Sequence, residues 1–231
     1  MNQTRYLTNS SGNHTVQICP NESSQVDLVT RYIKDGLLNG EAVIVIAKQA
    51  LRKSLKLKMD GISFDGRILQ DQDQIKFFDA EFLLSNLKSD GVLEEEVFQE
   101  YLAAPIDNAQ LNYRKVRVFS EMVDILWKQD QHNIAIQLEG FWNDLSHIQE
   151  FSLLCTYSLN KLDPNTYDDA LERICKCHSH LIPMEDDSIE PGMGETMLNV
   201  FGAAWSRVIN KLADSQEIPG QIQSNPLTTL T

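Results

Sequence analysis

Basic residues are scarce in this chain: 20 lysines and arginines stand against 33 aspartates and glutamates, for a formal net charge of −13 over 231 residues. A surface this acidic repels phosphate backbones, which argues against nucleic acid as a partner. It argues equally against an anionic membrane surface. Long apolar runs are also missing. None approaches the roughly 18–20 residues of a spanning helix, and Met1 to Gly12 is polar, without the apolar core of a signal peptide. Four cysteines (Cys19, Cys155, Cys175 and Cys177) follow no disulfide-framework spacing, so a reducing cytoplasm is the economical expectation. The nucleotide-binding signatures are absent. There is no GxxxxGKS or GxxxxGKT loop, no GxGxxG and no GxSxG elbow. Cys19 to Ser24 lies where a phosphate loop would stand, yet it lacks lysine and glycine and carries Glu22, which would repel a triphosphate. ATP turnover is therefore not expected, and neither is a cofactor or a resident metal.

What is present is an alternation of two periods. His14 to Cys19 reads as a short strand, and Ala42-Val-Ile-Val-Ile-Ala47 as a strand buried on both faces. Between them Val26, Val29, Ile33 and Leu37 recur at helical spacing, with Ser24 and Asp27 as a helix start and Gly36 and Gly40 as its end. A helix follows from Gln49 to Met59. Arg67 to Leu69 and Ile75 to Phe78 are further strand candidates, Ala80 to Leu87 a helix, and Glu94 to Leu102 a helix with an acidic start that suits the helix dipole. The richest phrase comes next. Val116 to Phe119 is a strand that runs into Ser120, Glu121 and an apolar helix ending near Trp127. A second amphipathic helix carries Leu138, Glu139, Trp142 and Asn143, and Phe151 to Tyr157 is another buried strand. A last helix is expected from Pro164 to His180.

Strands alternating with helices imply a three-layer α/β fold, a mostly parallel sheet of five or so strands with helices on both faces. The expected organisation is a flexible stretch 1–12, a core domain 13–183, an acidic linker 184–194, an amphipathic helix 195–213 and a disordered tail 214–231. In the helix, Leu198, Phe201, Trp205, Val208 and Leu212 form an a/d seam of about two heptads. It is expected to form a homodimer or to dock on a partner.

The candidate site starts from Glu121. In open α/β sheets ligands bind beyond the carboxyl ends of the strands, and Glu121 directly follows such a strand. Its bland reading is a first-turn glutamate serving the helix dipole, with Ser120 as N-cap. Trp127, Trp142 and Tyr157 can supply apolar walls, Asn143 and His178 oriented hydrogen bonds, and His14 is a less central member. His178 lies on an apolar stripe, so its imidazole needs a buried partner, for which Glu121 is the candidate. Glu139 and Asn143 read either as a solvated pair or as the polar edge of a pocket. Cys175-Lys-Cys177-His178-Ser-His180 has zinc-type ligands but poor spacing, and no second pair completes a tetrahedral set.

Taken together, these phrases resemble the MEDS domain, the methanogen/methylotroph sensory domain of prokaryotic signalling proteins. The resemblance runs from His14 to Pro183. It is carried by His14-Thr-Val-Gln17, Gly40-Glu41-Ala-Val-Ile-Val-Ile46, Glu121-Met122-Val with Trp127, Leu138-Glu139 with Trp142-Asn143, Phe151-Ser-Leu-Leu-Cys155 with Tyr157, and Cys175, His178, His180 and Pro183. One departure stands in the first strand, where Ile18-Cys19-Pro20 replaces the family's Phe-Tyr-Glu. The resemblance implies a RecA-like or clock-ATPase-like α/β core that has lost its P-loop, and a role in sensing small organic molecules such as simple hydrocarbon derivatives. The expected function is thus a non-enzymatic cytoplasmic sensor, with no catalytic residues, that binds a small organic ligand through Glu121, Trp142, Asn143, His178 and His14. It would signal to a kinase or transcription regulator. The alternatives are a ligand-free interaction adaptor with the same fold and a nucleotide-binding protein or enzyme with an unorthodox phosphate site.

Overall fold

The computed structural model describes residues 14–19, 21–60, 74–89, 91–158 and 180–182. In chain order the elements are β1 (His14–Cys19), α1 (Glu22–Leu38), β2 (Ala42–Ala47), α2 (Gln49–Asp60), β3 (Ile75–Asp79) and α3 (Ala80–Leu87). A small antiparallel pair follows, β4 (Lys88–Ser89) and β5 (Val92–Leu93). Next come α4 (Glu95–Phe98), a π-helical turn (Gln99–Ala103), α5 (Ala104–Gln110), β6 (Val116–Ser120), α6 (Met122–Lys128), α7 (His132–Ile148), β7 (Ser152–Ser158) and β8 (His180–Ile182).

Six strands form one sheet in the order β3-β2-β6-β7-β1-β8, and every neighbouring pair is parallel. The three-layer α/β expectation holds, with β2 in the interior and buried at every residue. The period-2 geometry of a strand divides the sheet residues between two cores. Val43, Val45, Ala47, Phe119 and Leu154 face α1 and α2, beside Leu28, Val29, Ile33, Leu51 and Leu55. Ile44, Ile46, Val118, Leu153 and Cys155 face the other layer, where α3 to α7 contribute Leu83, Leu84, Phe98, Leu126, Leu138 and Trp142. Among the described residues no helix is long and apolar enough to cross a membrane.

Several boundaries differ from the sequence reading. Helix α1 is capped by Asn21, whose side chain accepts from Ser24 N at 2.8 Å, so the cap precedes Ser24 by three residues. Asn is among the strongest N-caps. Gly36 does not end α1 but lies within it, while Gly40 turns the chain after the helix at φ +69°. The helix read from Glu94 to Leu102 continues to Gln110. Pro105 has no N–H to return to Tyr101, and just before it the ladder widens, with Ala104 N donating to Gln99 O. His180 belongs to β8 rather than to a helix. The strand candidate 67–69, the rest of the helix read over 164–180, the linker 184–194, the seam helix 195–213 and the two tails lie outside the described residues.

Gly36 sits where α1 crosses β2 and β6 most closely. A Cβ there would stand 2.9 Å from Val43 Cγ2 and 3.0 Å from Arg117 Cδ. Neither neighbour is a free side-chain tip, because Arg117 is clamped by an ion pair to Glu41 and lies 5.1 Å from the Tyr32 ring centroid. Gly36→Ala is therefore expected to destabilise by about 1–3 kcal/mol through overpacking, despite alanine's better helix propensity. Equilibrium urea unfolding reads this directly, and a stabilised variant would show that α1 can lift away at no cost.

Candidate functional site

The chain leaves β2 toward β3, at one edge of the sheet, and leaves β6 toward β7, in the opposite direction. The point where adjacent connections diverge opens a crevice beyond the carboxyl ends of the two strands. The residue after β2 is Lys48 and the residue after β6 is Glu121, and the two meet there. Glu121 Oε2 accepts from Lys48 N at 2.7 Å, and Oε1 lies 3.5 Å from Lys48 Nζ. Glu121 N donates to Ile46 O at 2.9 Å, which extends the β2–β6 ladder by one step and aims the side chain at Lys48. The carboxylate is buried, at 2% exposure, while the Lys48 side chain keeps 31%.

Burial pushes the Glu121 carboxyl above the ordinary glutamate range; the Lys48 N–H and ammonium draw it back, Asp124 pushes it up again, and Lys128 lowers it. Asp124 is buried at 1% and pairs with Lys128 Nζ at 2.8 Å, one helical turn on. Cys19, at the carboxyl end of β1, feels the same group. Burial, then Asp124, pushes its thiol up to about 12, so it is not a nucleophile at neutral pH. At the outer strand, Asp79 ends β3, caps α3 by accepting from Glu81 N and Phe82 N, and pairs with Arg52. The carboxyl edge thus carries two buried carboxylates, each held by a half-buried lysine. Such a pair can offer a small polar ligand both an acceptor and a mobile donor. A groove of about 470 Å³ lined by Asp107, Gln110, Tyr113, Arg114, Gln149 and Glu150 lies at the opposite, amino end of β6 and β7.

Glu121 does not cap its own helix. It occupies the N-cap position of α6 without a side-chain cap bond, and the Met122 N–H reaches Ser120 Oγ only at 3.4 Å. The other residues singled out from the sequence fall elsewhere. His14 pairs in register with Leu153, and Leu153 with Val118, so His14 is level with a residue three short of Glu121 (121 − 118) and two strands across. That separates them by about 10 Å along the strands and a similar distance across. His14 faces α7, with Nε2 3.2 Å from Glu139 Oε2 and 3.4 Å from Cys155 Sγ. Trp142 is fully buried, edge-on to Phe98 at 5.1 Å and tilted against Phe151 at 6.2 Å. Asn143 is half-buried, and its carbonyl accepts from Ser146 Oγ at 2.7 Å. His178 lies outside the described residues.

Two participants were not picked out, and a third was left between two readings. Lys48 follows β2 as Glu121 follows β6, so the positional rule that found Glu121 would have found it too. Asp124 is one turn along the same helix. Glu139 is no solvated group: it is 0% exposed and accepts from Tyr157 Oη at 2.7 Å. Its signal was its place on the apolar stripe Ala135, Leu138, Trp142 and Leu145 of α7.

Fold and crevice together define a doubly wound α/β domain with a charged carboxyl edge and no phosphate-cradling first turn. The sequence matches the family model of MEDS, the methanogen/methylotroph, DcmR sensory domain, over residues 13–178. The chain belongs to this family of sensory domains. No curated protein matches the sequence.

Proposed function

We propose that this chain senses a small organic molecule of the hydrocarbon-derivative class and reports its presence to a partner protein in a prokaryotic signalling system, without turning the ligand over. The observation that carries the reading is the Glu121–Lys48 pair, a buried carboxylate and a half-exposed ammonium at the point where the sheet's connections diverge. Membership of a sensory family supports the same role. In this reading Glu121 and Lys48 grip the polar end of the ligand, and His178 is proposed as a further ligand-binding residue. The partner is a kinase or a transcription regulator, the setting is cytoplasmic, and the 195–213 seam carries the signal through a dimer or a docked partner.

The test is a thermal-shift screen of small alcohols, organic acids, halomethanes and nucleotides on the full chain. A true ligand at 100 times its dissociation constant stabilises by roughly 2.7 kcal/mol. Nucleotides are expected to give no shift. Glu121→Gln keeps an acceptor for Lys48 N and removes the charge. It is expected to weaken the ligand shift at least tenfold in concentration while altering fold stability by no more than about 1 kcal/mol. Equal responses from wild type and variant would place the site elsewhere.

The same variant has a pH signature. The folded protein holds the Glu121 proton more tightly than the unfolded chain, so in the window between the two pKa values the native state binds more protons. Stability from this group is present below the unfolded value of about 4.3 and is lost as pH rises through the higher folded value. The difference in unfolding free energy between Glu121→Gln and wild type should therefore grow in the variant's favour from pH 4 upward. A flat difference across that range would show that Lys48 fully offsets the burial.

A further inference from the structure

The second buried constellation lies on the other side of the sheet from α1, between β1, β7 and α7. His14 starts β1, Cys155 is in the middle of β7, and Glu139 projects from α7 onto both. The in-register pairs His14–Leu153 and Val16–Cys155 place His14 and Cys155 on the same face, one pleat apart. His14 Nε2 is 3.4 Å from Cys155 Sγ and 3.2 Å from Glu139 Oε2, and one ligand atom from each of the three residues lies within 4.8 Å of the others. Exposure is 3% for His14 and 0% for Glu139 and Cys155.

We propose that His14, Glu139 and Cys155 form a binding site for one zinc-class divalent ion, a reading that does not rest on the ligand crevice at Glu121. Imidazole, thiolate and carboxylate are the three ligand types that zinc accepts. With bonds of about 2.0–2.3 Å, a tetrahedron has ligand–ligand edges of roughly 3.4–3.6 Å, close to the two spacings that run from His14 Nε2, 3.2 Å and 3.4 Å. The two edges at His14 need only a few tenths of an ångström of outward movement, and the third, between Glu139 and Cys155, is at most 4.8 Å. Three protein ligands leave the fourth position open, the arrangement of sites that bind an exogenous group rather than closed structural ones. Tyr157 supplies the outer support: its hydroxyl donates to the second Glu139 oxygen and fixes the rotamer that presents Oε2 to His14. An ion here would tie α7 to the sheet through Glu139, since the other two ligands are on strands.

The Cys175–His180 segment, which the sequence singled out for metal, is a competing source of ligands, and the experiment separates the two. Full-length apo protein is titrated with cobalt(II) as a spectroscopic stand-in, followed by zinc competition. One equivalent per chain is expected, with a thiolate-to-metal charge-transfer band that zinc abolishes. Cys155→Ala should remove the band, and His14→Ala or Glu139→Gln should lower the affinity at least tenfold. Tyr157→Phe should lower it by about 10–100-fold, as loss of an outer-shell partner does. Since Cys155 is a core residue whose variant could fail to fold, a chain with Cys19→Ala, Cys175→Ser and Cys177→Ser leaves Cys155 as the sole thiol, and it should keep the band. Absence of the band from wild type or from the sole-cysteine chain overturns the proposal. So does a band that survives Cys155→Ala.

Discussion

Trp142→Ala is expected to remove about 3–5 kcal/mol of folding stability, read as a lower midpoint in guanidinium unfolding at an unchanged m-value. The side chain is fully buried, and its ring is held by Phe98 on α4 and by Phe151, the residue before β7. Close-packed neighbours relax only partly into such a void, so the lost transfer energy and the cavity term add. Trp142 was also singled out as a pocket wall, and the two roles separate in this measurement. A packing residue shows the full loss with or without ligand. A residue lining an open site would cost about 1 kcal/mol or less when truncated, because solvent already reaches it.

Glu41→Ala is expected to be as damaging, again about 3–5 kcal/mol, for an electrostatic reason. Glu41 precedes β2 and pairs with Arg117 in β6, whose guanidinium is 3% exposed beneath Tyr32. Removing the carboxylate leaves a desolvated cation among α1, β2 and β6. Coulomb attraction in the intact pair roughly offsets the desolvation of both charges, so replacing both partners should be far milder than replacing one. Glu41→Leu combined with Arg117→Met is expected to recover most of the stability of wild type. A double variant as unstable as Glu41→Ala would show that Arg117 acts through its stacking on Tyr32 instead of through its charge.

The residues that carry these effects differ in how visible they were. The apolar run Ala42–Ala47 signalled an interior strand because a parallel sheet covers both faces of its strands, and burial at all six positions agrees. Trp142 was visible as an apolar-stripe residue. Arg117 was not, because an arginine within Val116–Ser120 gives no hint of a glutamate 76 residues away. Glu121 was placed at the strand's carboxyl end by a local rule. The lysine it binds is 73 residues earlier and came into view only when β2 and β6 became neighbours.

Alternation of strand and helix, the missing phosphate loop and the family's ordered phrases are properties of neighbouring residues. The amino-acid sequence by itself therefore determined the α/β class, the sensory family and the acidic residue at the end of β6. Pairing across the sheet is not local. The order β3-β2-β6-β7-β1-β8 brings Lys48 to Glu121, Glu41 to Arg117, and His14 to Cys155 across 141 residues. No spacing along the chain encodes those meetings. They follow from which strands hydrogen-bond as neighbours and from which pleat each side chain occupies, and only the tertiary structure decided that.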